Sequence, residues 1–299
     1  ETIKYIRLAF KGKPNKVIAE VYGDNYPLTD LMNKLRLVKF NYYAAPNATE
    51  EELEKIKSWH NEMVEVKDRT IKFVGYNYQA DDETVINWVV PRVTFDGKDY
   101  TGQEFTTLIA SQLAALPLSR SFTYFTWPEL TDADLPYADD EDTAVNEGKL
   151  FLTYNGESYK IARGVNSLTT YSDKKGEDFS KIKIVDSMHM IKDDIRDTWE
   201  EFYVGKYRNT YANKMQFLAL VNRVYFRELE GEILEPTSGS RVDIDVRKNE
   251  MYAVKRGANI DEMSEQQIRE FNTGSNLFAA GYVSILDAME DLYINFRNE

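Results

Sequence analysis

The sequence predicts an α/β plus α+β protein: a mostly parallel α/β domain over residues 1–128, then an α+β core domain over 149–299 with two long helices and terminal strands. Three observations predict it. From Val17 to about Phe125, short β-branched and aromatic runs alternate with helical ones, the rhythm of a parallel sheet covered by helices. Residues 129–148, "ELTDADLPYADDEDTAVNEG", hold eight acidic and no basic side chains, so self-repulsion and Pro/Gly punctuation predict an exposed connector there. Beyond it lie two apolar stripes at helical spacing, flanked by strand-like runs.

Taken in order, "KVIAEVYG" reads as a strand, "LTDLMNKLRLV" as a helix, "KFNYYAAP" as a strand and "TEEELEKIKSWHNEMVEV" as a helix. "TIKFVGYN" and "VINWVVPRVTF" follow as strands, and Gln103 to Leu116 as a helix. Thr49 with Glu52 and Thr101 with Glu104 have the spacing of capping boxes, in which hydroxyl and carboxylate satisfy each other's free backbone N–H groups. "FDGKDYTG" is a turn between a strand and a capped helix.

In the second half, "KLFLTYNG" and "SYKIARGVN" are strands joined by Asn155-Gly156, a type I′ hairpin signal. Gly164 and Asn166 permit the turn out of the hairpin, and a polar loop through Lys174 and Gly176 delivers Ser180 as the N-cap of a long helix. Ile184, Met188, Ile191, Ile195, Trp199 and Phe202 form one stripe of that helix, with Gly205 as its C-cap glycine. A second helix, Tyr211 to Glu230, turns Phe217, Leu218, Val221, Val224 and Tyr225 inward. "RVDIDV" alternates as a half-buried strand, and Ser264 to Phe271 is a short helix boxed by Gln267. At the end, Leu292, Ile294 and Phe296 alternate with Tyr293, Asn295 and Arg297, which predicts a final strand.

Composition excludes several functions. With 50 acidic against 37 basic residues the net charge is −13, which disfavours nucleic acid and anionic membrane surfaces. The absence of cysteine removes thiolate nucleophiles, disulfides and zinc-thiolate sites. No run approaches the 18 or so apolar residues of a membrane span. His60 and His189 are the two histidines, and neither has a partner at metal or triad spacing. "DDED" at Asp139 to Asp142 lacks the rest of a calcium loop, and no phosphate loop, dinucleotide fingerprint or nucleophile elbow occurs. No catalytic, metal or cofactor site is expected. The competing reading, an enzyme or ligand-binding protein on a doubly wound α/β domain, would place a ligand near "YGDNY" or "YNYQADDE".

The long tract from "ARGVNSLTT" through "KIKIVDSM", "IKDDIRDTWEEFYVGKYRNTYANK", "YFRELEGEILEP" and "VDIDV" to "MSEQQIREFNTGS" resembles the C-terminal core of contractile phage tail sheath proteins. "IRLAFKGKPNKVIAEVYG", "FNYYAAP" and "YTGQEFTTLIASQLAALPLSRSFTY" are similar to the family's preceding α/β domain, so the resemblance covers nearly the whole chain. It implies a structural subunit without cofactor, in a phage or phage-like tail assembled in the host cytoplasm, that polymerises helically around an inner tail tube and contracts to drive it through a cell envelope. The partners it implies are further copies of the chain, the inner tail tube protein, and baseplate and tail terminator proteins. A baseplate or adaptor component is the nearest variant of this reading. Sheath subunits also carry an N-terminal arm, and because the chain starts at Glu1, inside "ETIKYIRLAF", an upstream region is expected to be missing. Leu292, Ile294 and Phe296 are the candidates for a strand added to a neighbour's sheet. Lys183, Lys192 and Arg196, on the polar face of the long helix, are candidates for contact with the tube or a neighbouring subunit.

Overall fold

The computed structural model describes residues 2–23, 25–173 and 175–297; Lys174, part of the predicted polar loop, lies outside the described residues. The chain divides into two units, one formed by Glu1–Asp186 together with Asp287–Glu299 and the other by Ser187–Leu286.

The first unit runs α1 (Thr2–Lys11), α2 (Leu28–Leu35), β1 (Tyr42–Ala44), α3 (Glu50–Asn61), β2 (Lys72–Tyr76), β3 (Val85–Trp88), β4 (Arg92–Phe95), β5 (Lys98–Thr101) and α4 (Gly102–Ala115). It continues with β6 (Leu130–Ala133), α5 (Glu141–Asn146), β7 (Lys149–Leu150), β8 (Leu152–Tyr154) and β9 (Tyr159–Ile161). Strands β1, β2, β3 and β7 pair in that order, all parallel, with Val74 opposite Ile86 and Trp88 opposite Leu150. Val74, Trp88 and Leu150 are wholly buried, as expected of a parallel sheet covered on its faces. A second sheet is antiparallel, in the order β5-β4-β6. Pro91 separates β3 from β4 because it has no N–H for a ladder. Gly102 lets α4 start against the sheet: a Cβ there would lie 2.2 Å from the Val90 carbonyl oxygen.

Both capping boxes form, Thr49 with Glu52 at α3 and Thr101 with Glu104 at α4. Helix α3 runs on into a π-helical turn, Glu62–Val66. The two-residue turn with two positive φ angles is Asp96-Gly97, at 52° and 68°, in the β4-β5 hairpin. The β8-β9 hairpin forms as expected but not through a type I′ turn. Tyr154 pairs with Tyr159, leaving a four-residue connection in which the Asn155 side chain accepts from the Glu157 and Ser158 amides.

Two expectations for this unit are corrected. "KVIAEVYG" forms no strand: Val21 is exposed, and the segment's one pairing is an isolated bridge of Gly23 with Tyr26. A β-rich run needs a neighbouring strand, and this one has none among the described residues. Residues 129–148 are not a connector, and the units do not divide there. β6 pairs with β4, and Leu130, Ala133 and Ala144 enter the core. The acidic charge is met locally, since Arg92 on β4 binds Asp132 at 2.8 Å and Asp134 at 3.2 Å.

Helix α6 (Ile182–Phe202) starts in the first unit and passes into the second. Ser180 is not its N-cap. It ends a 3-10 turn, Glu177–Ser180, and the first helical bond runs from the Val185 amide to the Lys181 carbonyl. The stretch from Gly164 is scaffold for this start. Asn166, fully buried, donates its backbone N–H to the Ser180 carbonyl and its side-chain amide to the Phe179 carbonyl, at 2.8 and 2.7 Å.

The second unit comprises the rest of α6, then α7 (Tyr211–Leu220), α8 (Phe226–Leu229), β10 (Arg241–Ile244), α9 (Val246–Lys255), α10 (Glu265–Glu270) and β11 (Ala279–Tyr282). A π-helical turn, Val221–Tyr225, joins α7 to α8, so the predicted long helix is interrupted. The π turn shifts the buried face by a residue: Val224 is exposed and Phe226 is buried. Ile191, Phe217, Leu218, Val221, Phe226, Leu234 and Ile244 form the core. Gly205, at φ 73°, follows α6 as predicted, and Ser264 with Gln267 boxes α10. The end of "RVDIDV" departs from expectation because Asp245 caps α9, accepting from the Lys248 amide.

Candidate functional site

His60 and Asp81, two places where chemistry could reside, are held in structural hydrogen-bond networks. His60 is buried, with Nε2 2.7 Å from the Thr84 hydroxyl and Nδ1 3.0 Å from the Tyr43 hydroxyl. The single Thr84 hydroxyl proton goes to Asp82 Oδ1 at 2.6 Å, so Nε2–H donates to Thr84 and Nδ1 accepts from Tyr43. Burial pushes the imidazole down to about 4. It is therefore a neutral core histidine. Within "YNYQADDE", the Thr170 side chain together with the Thr169 and Thr170 amides, which donate to Asp81, lowers its carboxyl to about 2. Strands β1, β2, β3 and β7 also follow one another without reversal, so this sheet has no switch point of the kind at which doubly wound proteins bind ligands. Among the described residues, no group of three or more His, Asp or Glu could hold a metal ion.

The unexplained surface lies at the C-terminus. Residues 287–297 form no strand within this chain, which corrects the predicted final strand as an internal element. Leu292 is 81% exposed, Ile294 56% and Phe296 91%. Just before them the chain is tied down by polar contacts. Ser121 and Thr123 hydroxyls donate to Glu290 Oε1 at 2.7 and 2.6 Å, and Arg163 donates to Glu290 Oε2 at 3.0 Å and Asp291 Oδ1 at 2.8 Å. Lys181 pairs with Asp287. The Arg163 guanidinium lowers the Asp291 carboxyl, and the two carboxylates raise Arg163.

A second feature is the β10-β11 sheet, antiparallel with Val242 opposite Gly281. The outer edge of β10 is occupied by side chains. Asn222 donates to the Val242 carbonyl and accepts from its N–H, both at 2.8 Å, and Asp243 Oδ1 takes the Ile244 amide. β11 is exposed at all four residues and has β10 as its one strand neighbour among the described residues.

Of the predicted helix charges, Lys183 is 6% exposed, which removes it from the surface candidates. Lys192 is exposed, and Arg196 lies 3.5 Å from Asp193 one turn away. The clamp around Arg163 and the edge block by Asn222 were missed. Arg163 and Glu290 stand 127 residues apart, and no local pattern joins them.

An apolar tail turned outward in the first unit, and in the second a sheet closed on one edge and open on the other, are features of a structural subunit rather than of a catalytic centre. The chain is 35% identical over 302 residues to the tail sheath protein of Clostridium phage phiCD119, spanning 98% of this chain and 84% of that one. It belongs to the tail sheath proteins and is a structural component of a virion tail, not an enzyme. The Bacillus subtilis phage-like element PBSX protein XkdK is 24% identical over 177 residues, 57% of this chain and 38% of that protein. No protein-family model matches the sequence. The sheath tail protein of Listeria innocua shares the fold at TM-score 0.66 and 23% identity over 78% of this chain, which spans 56% of that structure. The anti-feeding prophage helical sheath in its contracted state matches at TM-score 0.66 and 12% identity, over 99% of this chain and 81% of that one.

Proposed function

We propose that copies of this chain polymerise helically around an inner tail tube and contract to drive that tube through a target envelope, with the C-terminal tail as an inter-subunit arm. The observation that supports it most is the exposure of Leu292, Ile294 and Phe296 at the end of an anchored segment. A short alternating run that finds no host sheet in its own chain is suited to a neighbour's sheet edge, where main-chain hydrogen bonds give affinity and alternate side chains give register. The open edge of β11 is the host this reading assigns. Repetition of such a heterologous joint builds a helix when its rotation does not close into a ring. The energy of contraction then resides in the assembled interfaces, which fits a chain without a phosphate-binding loop.

Assembly in the host cytoplasm, and contacts with inner tube, baseplate and tail terminator proteins, belong to the same proposal. Lys192 and Arg196 on α6 are its candidates for tube or neighbour contact. The net charge of −13 argues against nucleic acid and anionic membranes as partners. The test is Ile294→Pro, which removes one ladder N–H and keeps most apolar surface. It should leave the melting temperature of the subunit unchanged and prevent tubes from forming in negative-stain images. Normal contractile tubes from this variant would overturn the arm.

A further inference from the structure

The arm needs a root, and residues 287–291 invert the usual logic of burial. Met289 and Leu292, the apolar side chains, stand fully or largely in water, whereas the Glu290 carboxylate between them is 9% exposed. Both Glu290 oxygens are engaged, Oε1 by the Ser121 and Thr123 hydroxyls and Oε2 by Arg163. The Thr123 hydroxyl also accepts from the Gly164 amide at 2.8 Å, so donors and acceptor are fixed by the same backbone that starts α6. Arg163 bridges Glu290 to Asp291 with both terminal nitrogens. A charge-assisted pair shared in this way has a defined geometry, unlike a single flexible surface contact. Past Asp291, no hydrogen bond or ion pair to another of the described residues holds 292–297.

We propose that Arg163 is the positioning residue of the C-terminal arm: with Ser121 and Thr123 it pins Glu290 and Asp291 to their own subunit, so that the swivelling part of the arm begins at Leu292. This inference rests on the reading of 292–297 as an inter-subunit arm, but the pin itself is a property of the single chain. The attachment is polar rather than apolar, so it responds to charge removal while the hydrophobic core does not. Releasing residues 287–291 would lengthen the free arm by five residues, roughly 16 Å of extended chain, and would slacken every joint in a tube.

The chain has no cysteine, so single labels are unambiguous. A nitroxide would be placed by Met289→Cys, inside the pinned segment, or by Asn295→Cys, outside it, and its spectrum recorded on the monomer. In the parent the 289 label should show a slow component and the 295 label a fast one. With Arg163→Met added, the 289 spectrum should converge on the 295 spectrum while the melting curve stays cooperative. Glu290→Gln, which keeps hydrogen-bonding capacity and loses the charge, should give an intermediate spectrum if Arg163 is the principal holder. Equal mobility at 289 and 295 in the parent, or a 289 label unmoved by Arg163→Met, overturns the pin. Because these readings are made on the monomer, they are separable from the Ile294→Pro assembly test. A released 289 label with normal Ile294→Pro tubes would keep the pin and sink the arm, and the reverse pair would do the opposite.

Discussion

Asp186 and Glu290 are both buried carboxylates held by a cation and by hydroxyl donors, yet the chain segments that carry them differ. Asp186 receives Lys72 at 2.7 Å and the Tyr42 hydroxyl at 2.8 and 2.7 Å, and the ammonium also lies 4.7 Å from the Tyr42 ring centre. Val74, Ile182 and Val185 nearby in the chain are buried, so this pair is a polar inclusion in an apolar region. Glu290 is as buried as Asp186, 9% against 11% exposed, but Met289 and Leu292 beside it in the chain face water, and the ion pair is itself the attachment. The same chemistry therefore serves rigidity in one place and a detachable tether in the other. The difference lies in whether the carboxylate can escape to solvent when its cation is removed.

That difference is open to measurement. Lys72→Met leaves Asp186 buried without its cation and should cost about 3–5 kcal/mol in chemical denaturation. Arg163→Met lets the tail lift and Glu290 hydrate, so although Glu290 is buried it should cost less than Lys72→Met, about 1–2 kcal/mol. A larger loss from Arg163→Met would reverse the comparison. The next largest effect belongs to His60. The folded protein keeps this imidazole neutral down to about pH 4, while the unfolded chain takes up the proton near 6.5. Its contribution is fully present above about pH 6.5 and is lost as pH falls towards 4, by roughly 3 kcal/mol. Denaturation midpoints should drop over that window in the parent and less so in His60→Gln; parallel pH slopes would exclude His60 as the cause. The smallest effect separates two helix starts. Thr49→Ala removes a formed capping box and should cost about 1 kcal/mol, whereas Ser180→Ala, outside the cap of α6, should change stability by no more than about 0.5 kcal/mol. Equal losses in thermal melts would restore Ser180 as a cap.

Local rules explain what was legible in the sequence. The boxes at Thr49, Thr101 and Ser264 all form, because a capping box is decided within four residues. The β/α order from Tyr42 to Ala115 was legible in part: "VINWVVPRVTF", read as one strand, splits at Pro91 into β3 and β4 of different sheets, and "FDGKDYTG", read as a turn, contains β5. "KVIAEVYG" and the 129–148 stretch misled because pairing is not local: the first lacks a neighbour, and the second gains Arg92 from another strand. At Asp245, alternation and capping compete for one residue, and the cap of α9 prevails. For the candidate site, the alternation of Leu292, Ile294 and Phe296 was visible, but the clamp that roots them is assembled from residues far apart in sequence.

The Asn222 amide on the outer edge of β10 has a consequence for how many partners a subunit can accept. Val242 and Ile244 already have their amides occupied by side chains, so a further strand finds β10 closed and β11 open. The two-stranded sheet thus has a valence of one. Were the proposed arm to dock there, the sheet would take one strand on β11 and none on β10, so it would not stack without limit in the manner of an amyloid edge.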